Sequence, residues 1–321
     1  GNPPYQTQVN VPGKGLGAIP IYQHFVEQAK RLAPKYLSMI IPARWYSGGV
    51  GLNDFRKMML ESKQIVYLVD FVDSRDCFPD VSINGGSCYF LMSQDYQGLT
   101  NYQTTENGKT SFAIRDLSEF EIFIRRNEAL SIVNKVKNAG EKTLSAEGGC
   151  SPQTPFGLLS TFNGKPTRDS EQDLKYFSSK GWSYVNRKII QKSIDLIDKY
   201  KPTISKLTSE HAGNPNLDGQ YRVLSKMLIL KPQQICSQSY LTICGFDNID
   251  EARNLFNYLK TKLVRFLILQ TLVGMNLSIS NFKYVPWLDF KRSWTDQDLH
   301  TRYKLTEEEI TFIESMIRPM E

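Results

Sequence analysis

Apolar positions along the chain change period several times, and each change predicts an element. Tyr22, Phe25, Val26, Ala29 and Leu32 recur at helical spacing until Pro34 stops them. The run Tyr36 to Ile41, closed by Pro42, reads as a buried strand, and Leu52 to Leu60 reads as a second amphipathic helix with Asn53 as its cap. Gln64 to Val72 and Val81 to Met92 are β-branched and aromatic, joined by the polar turn Asp73 to Asp80, and predict a hairpin. Beyond Tyr96 the texture becomes short strands between polar turns. The alternating Phe120 to Ile124, the segment Gly181 to Ile190 and Lys201 to Leu207 predict strands, and Leu130 to Val136 predicts a helix. A long helix is expected over about 250–272, with Ala252, Leu255, Phe256, Leu259, Leu263, Phe266 and Leu267 as its apolar stripe and Arg253, Lys260, Lys262 and Arg265 on its outer face. A terminal helix is expected with Thr306 and Glu309 as a capping box.

Helix, strand, helix and hairpin in that order fit the second half of a doubly wound α/β sheet, so the expected fold is half a Rossmann-like sheet followed by a mixed α+β domain. The change of texture divides the chain into 1–97, 98–290 and a helical tail 291–321. With 321 residues, 40% hydrophobic and 22% charged, the chain is long enough for two cores and is neither disordered nor membrane-spanning in composition. Of the net charge of +6, only +1 falls in the first hundred residues, so a polyanion is expected to meet mainly the later part. The odd number of cysteines, Cys77, Cys88, Cys150, Cys236 and Cys244, with no C-x-x-C pair, gives no disulfide framework and no zinc site, and fits a reducing cytoplasm. The chain opens without Met, at Gly1, and reads as part of something longer.

The chemistry sits at that opening, in Asn2-Pro3-Pro4-Tyr5. An exocyclic amine on an aromatic ring is a poor nucleophile because its lone pair is delocalised. The Asn2 carboxamide oxygen and the Pro3 carbonyl can accept its two hydrogens, which draws the nitrogen towards tetrahedral geometry and frees the lone pair. Consecutive prolines fix φ and keep that carbonyl aimed outward, and Tyr5 offers a ring for stacking. The same four residues also read as a plain turn, because Asn-Pro and Pro-Pro are common turn formers.

NPPYQ, IYQHFVEQAKRLAP, MIIPARWYSGGVGLNDFRKMML and IVYLVDFVDSRDCFPDVSINGGSCYF together resemble the adenine-specific DNA methyltransferases of type II (IIG-like) restriction-modification systems, TaqI-like in motif order. SYLTICGFDNIDEARNLFNYLKTKLVRFLI, FKYVPWLDF and SWTDQDLHTRYKLTEEEITFIESMIRPM are similar to their C-terminal specificity region. The resemblance implies a catalytic tetrad Asn2, Pro3, Pro4 and Tyr5 in which Asn2, Pro3 and Tyr5 hold a flipped adenine, with Phe78 packing on the base. It also implies S-adenosylmethionine as methyl donor, bound mainly by residues upstream of this chain. Double-stranded DNA and an upstream methyltransferase or nuclease portion are the implied partners. The cofactor residues of the family are not found here: Gly13-x-Gly15-x-Gly17 follows the tetrad and no strand precedes it, so it reads as a loop over the target base.

For DNA contact the candidates are Trp182, Tyr184, Arg187, Lys188, Lys201, Lys206, Arg222 and Lys226, mixed basic and aromatic residues of the later part; singly, each reads equally as solvated surface. Pro79-Asp80 lacks the following acid-x-Lys of a magnesium nuclease and reads as a turn. His24, His211 and His300 are scattered, and no metal is expected. A non-catalytic DNA-specificity module stays open as the alternative to an enzyme portion, and a glutamine or RNA-base methyltransferase is disfavoured by the long C-terminal region.

Overall fold

The computed structural model describes residues 1–11, 15–49, 51–209 and 219–320. It is a mixed α/β structure that separates into two compact units, the first formed by Gly1–Leu130 with Gln270–Gly274 and the second by the remaining described residues. His211 and Gly13 lie outside the described residues.

The first unit opens with a two-stranded antiparallel hairpin, β1 (Gln6–Val11) and β2 (Gly15–Pro20), with Gln6 opposite Pro20. Gly15 and Gly17 therefore belong to a strand, where a loop had been expected. Helix α1 (Tyr22–Arg31), strand β3 (Tyr36–Pro42), helix α2 (Asn53–Glu61) and strand β4 (Ile65–Phe71) follow as the periodicity predicts. Asn53 is the first residue of α2 and not its cap; its side chain accepts from Arg56 Nη1 at 3.2 Å. Strand β5 (Ser87–Ser93) starts later than the apolar run suggested, because Gly85 and Gly86 turn the chain at φ of +87° and +80°. Strands β6 (Thr100–Glu106) and β7 (Lys109–Arg115) are joined by Asn107-Gly108, both at positive φ as a tight hairpin requires.

These strands make one sheet in the order β3-β5-β4-β6-β7. Strand β5 is antiparallel to both β3 and β4, so β3 and β4 run in the same direction and end on the same side. The sheet continues past residue 97 because β6 adds in parallel to β4, so the change in sequence texture falls inside a structural unit. One face is covered by α1 and α2: Tyr22, Val26, Phe55 and Met59 close on Ile41, Leu68, Phe90 and Tyr102. Phe120 to Ile124 form no strand. Their apolar side chains fill the core beside Tyr46 and Tyr102, while the backbone bonds elsewhere, Phe123 N–H to Tyr46 O at 2.9 Å and Ile124 O to Arg115 Nη1 at 2.6 Å.

The second unit contains three-stranded sheets. In one, β8 (Asp173–Ser178) lies between β9 (Gly181–Asn186) and β12 (Gln234–Cys236); in the other, β10 (Lys201–Ser205) lies between β11 (Met227–Leu230) and β13 (Tyr240–Thr242). Its helices include α3 (Ala129–Asn138, begun in the first unit), α4 (Ile249–Lys260), α5 (Lys262–Gln270), α6 (Asp296–Arg302) and α7 (Glu307–Met316). The single helix expected over 250–272 is broken at Thr261, which is extended at ψ 150°. The Asp296 carboxylate accepts from Lys262 N–H and Leu263 N–H at 3.0 Å each and so starts a new helix there. Arg265, expected on an outer face, points inward and donates to the carbonyls of Lys260, Arg222 and Arg318. The Thr306/Glu309 capping box forms as predicted. All five cysteines are free thiols. No helix among the described residues is long and apolar enough to cross a membrane.

Candidate functional site

The parallel strands β3 and β4 end at one side of the sheet, and in such a sheet the space beyond the carboxyl ends is where ligands bind. Here that space is a cavity of about 820 Å³. Its wall begins with the opening tetrad. The ammonium of Gly1 donates to Ser38 O at 2.6 Å and Gly1 O accepts from Ile40 N–H at 2.9 Å, the bonding pattern of a parallel neighbour on the free edge of β3. Asn2 through Tyr5 therefore leave the sheet as a strand end would. Tyr5 O takes the Ile21 N–H at 3.2 Å, which fixes the far side of the tetrad to the start of α1.

Asn2, Pro3, Pro4 and Tyr5 all line the cavity. Pro3 is buried, Tyr5 half-buried, and Asn2 and Pro4 exposed, so the carboxamide faces accessible space while a proline anchors the turn. Burial pushes the Tyr5 phenol above its ordinary value, with the Cys77 and Cys88 thiols adding to the shift, so the ring presents itself as a neutral surface. Gln6, Ala18 and Pro20 of the first hairpin and Tyr22 of α1 contribute to the same wall.

The opposite wall comes from turns that follow β3 and β4. After Pro42 the chain makes a short helical turn, Ala43–Tyr46, whose Trp45 and Tyr46 are fully buried while Arg44 is exposed to the cavity. Arg56 of α2 clamps this turn, giving Nε to Trp45 O at 2.7 Å and Nη2 to Gly48 O at 3.1 Å. After β4, the buried Ser74 pins the loop that carries Ser82, Ile83 and Asn84: its Oγ donates to Val81 O at 2.8 Å and accepts from Ile83 N–H at 2.7 Å. A buried ion pair fastens the loop to the sheet. Arg125 meets Asp70 through Nη2–Oδ1 at 2.6 Å and Nε–Oδ2 at 2.7 Å, and gives its remaining nitrogen to Gly85 O at 2.7 Å.

Phe78 sits in that loop, half-buried, and does not itself line the cavity. Among the described lining residues no side chain is acidic. That lining offers, among the described residues, no carboxylate for the ribose of a methionine-bearing nucleoside, and Gly15 and Gly17 lie in a strand. These residues fit a neutral aromatic amine and not the methyl donor.

The DNA candidates divide. Trp182 is 44% exposed and packs tilted against the buried Phe177 at 4.7 Å with Lys175 Nζ over its ring, and Lys226 Nζ lies 4.6 Å from the Phe177 ring, so aromatic and cationic groups cluster there. Tyr184 is half-buried in β9, Lys188 and Arg222 are exposed, and Arg187 pairs with Asp198 at 3.0 Å. Lys201 and Lys206 do not belong with them. Lys201 is fully buried and donates to the carbonyls of Ile197, Lys199 and Lys231, and Lys206 is buried with its ammonium on Gln153 O. Burial lowers both to about 8. A strand of lysines reads as a basic surface in sequence, but here the ammonium groups satisfy carbonyls inside the fold. Sequence reasoning missed Arg44, Tyr22 and the Ser82–Asn84 wall; the position of Arg44 just past a predicted strand's carboxyl end was the available signal.

The comparisons with known proteins point to restriction-modification methylases. Residues 1–78 match the family model described as Eco57I restriction-modification methylase. Over 126 residues the chain is 41% identical to a Mycoplasma pneumoniae (strain ATCC 29342 / M129 / Subtype 1) protein named as an uncharacterized adenine-specific methylase, which covers 39% of this chain and 30% of that protein. The chain thus spans less than a third of the length of that curated relative. Among solved structures, it is similar to the type IIG restriction endonuclease BpuSI, with TM-score 0.32 and 10% identity over 94% of this chain and 50% of that one. It is also similar to the Type IIL restriction-modification enzyme MmeI solved in complex with DNA, with TM-score 0.43 and 10% identity over 88% of this chain and 42% of that one. The resemblance to restriction-modification methylases read from the sequence is borne out.

Proposed function

We propose that this chain is the target-base half of a DNA adenine methyltransferase of a restriction-modification system, joined to its target-recognition region, and that it works in the cytoplasm. In this reading the sheet of the first unit is the second half of a doubly wound, Rossmann-like fold. The observation that carries the proposal is the placement of Asn2, Pro3 and Tyr5 in the wall of a cavity at the carboxyl ends of β3 and β4. A cavity of about 820 Å³ has room for an extruded nucleotide.

The adenine leaves the duplex and its ring lies against Tyr5, with Ile83 facing it across the cavity. Asn2 Oδ1 and Pro3 O accept the amine hydrogens, which localises the nitrogen lone pair for alkylation. Phe78 reaches the base only if the Ser74–Ile83 loop shifts inward. S-adenosylmethionine supplies the methyl group when bound, held mainly by residues other than these. Trp182, Tyr184, Arg187, Lys188, Arg222 and Lys226 face the duplex.

Transfer of a labelled methyl group to duplex DNA, by this chain together with the upstream part that holds the cofactor, tests the reading. Asn2→Ala is expected to abolish transfer while duplex binding survives. Loss of both together would make the tetrad structural, and binding without any transfer when the cofactor-holding part is also present would favour a non-catalytic specificity module.

A further inference from the structure

We infer that Arg44 is a phosphate subsite of this cavity, binding the phosphate attached to the nucleotide whose base lies against Tyr5. The inference rests on the adenine reading above and extends it from the base to the backbone of the substrate. Arg44 is the one charged side chain among the described residues of the lining, which is otherwise neutral. It is also unspent. Arg56 and Arg125, its neighbours in the same unit, give their nitrogens to carbonyls and to Asp70, whereas the Arg44 guanidinium has no hydrogen bond or ion pair among the described residues.

The position is built and not incidental. Ala43 N–H donates to Gly86 O at 3.0 Å and Arg56 clamps Trp45, so the backbone on both sides of Arg44 is fixed. The stem passes over Gly85, where an added Cβ would stand 3.4 Å from Arg44 Cγ and 2.5 Å from Val273 O; glycine keeps that passage open. Tyr22 lines the same cavity with its hydroxyl buried. From this fixed backbone a guanidinium unpaired among the described residues can present the fork that matches two phosphate oxygens. A neutral base gives such a group no anionic partner; the phosphate of a nucleotide does.

The test compares deoxyadenosine with its 5′- and 3′-monophosphates in NMR titrations of the full chain. One of the monophosphates is expected to bind about tenfold tighter than the nucleoside, the gain of a charge-assisted pair. Arg44→Ala should bring that nucleotide down to the nucleoside's affinity, Arg44→Lys should restore part of the gain, and raising the salt should erode the gain only where the charge is present. Arg44 is exposed, so the variants are expected to keep the wild-type melting temperature, and one that unfolds is replaced by Arg44→Gln. No preference for either phosphate, or a preference that persists in Arg44→Ala, would overturn the assignment while leaving the base reading intact, provided that Tyr5→Ala still weakens the nucleoside. If deoxyadenosine fails to bind in a Tyr5-dependent way, the adenine reading falls and the phosphate subsite with it.

Discussion

Replacing Asp70 by alanine probes the device that holds the cavity's second wall. Asp70 is fully buried and receives Arg125 in a two-pronged pair at 2.6 and 2.7 Å, with the hydroxyls of Tyr102 and Thr104 also on Oδ2 at 3.1 and 3.3 Å. Asp70→Ala leaves the buried guanidinium with only carbonyl partners, Gly85 O and Phe71 O. Two charge-assisted bonds at roughly 1.5–3 kcal/mol each give a loss of about 3–6 kcal/mol, and broken buried pairs typically cost about 3–5 kcal/mol. Against a total stability of roughly 5–15 kcal/mol, this moves the urea midpoint by about 2 M for a slope near 2 kcal/mol per M. The assay is urea unfolding followed by tryptophan fluorescence, with deoxyadenosine binding measured alongside, because Arg125 reaches the cavity loop through Gly85. The double replacement Asp70→Leu with Arg125→Met, which removes both charges, should recover most of the loss. A single replacement costing under about 1 kcal/mol, or a double one no better than the single, would refute the claim that a desolvated pair fastens this loop.

Other expectations follow from the same geometry. Lys201 is held near 8 in the folded chain against about 10.4 unfolded, so between those values the unfolded chain binds more protons and stability rises with pH; that rise should be missing from the Lys201→Met curve when the two are subtracted. Gly86→Ala puts a Cβ into the Phe71 carbonyl at a φ of +80° and should lower stability by at least about 2 kcal/mol in chemical denaturation. Asp296→Ala removes the acceptor for Lys262 and Leu263 N–H at the start of α5 and should cost about 1 kcal/mol, read as a lowered melting temperature. On duplex DNA, Lys188→Ala and Lys226→Ala should each lower the salt slope of binding by about 1, whereas Lys201→Met should leave it where it is.

Local order was written in the amino-acid sequence because it depends on neighbours a few residues apart. Helix α1, strand β3, the pairing of β4 with a later-starting β5 and the Thr306 capping box formed on the segments that period and capping chemistry marked. So did the tetrad's stiffness, since prolines restrict their own backbone whatever surrounds them. Tertiary structure alone decided the rest, because it depends on what distant segments bring. Asp296 split one apolar stripe into α4 and α5 from more than thirty positions away. A parallel partner for β4 carried the first sheet on to Arg115. Lys201 and Lys206 went inside because carbonyls awaited them there, while Arg44, an ordinary arginine in a one-dimensional reading, was left without a partner among the described residues where two strands end. Charge is legible in a sequence; whether that charge is already satisfied is a property of the folded neighbourhood.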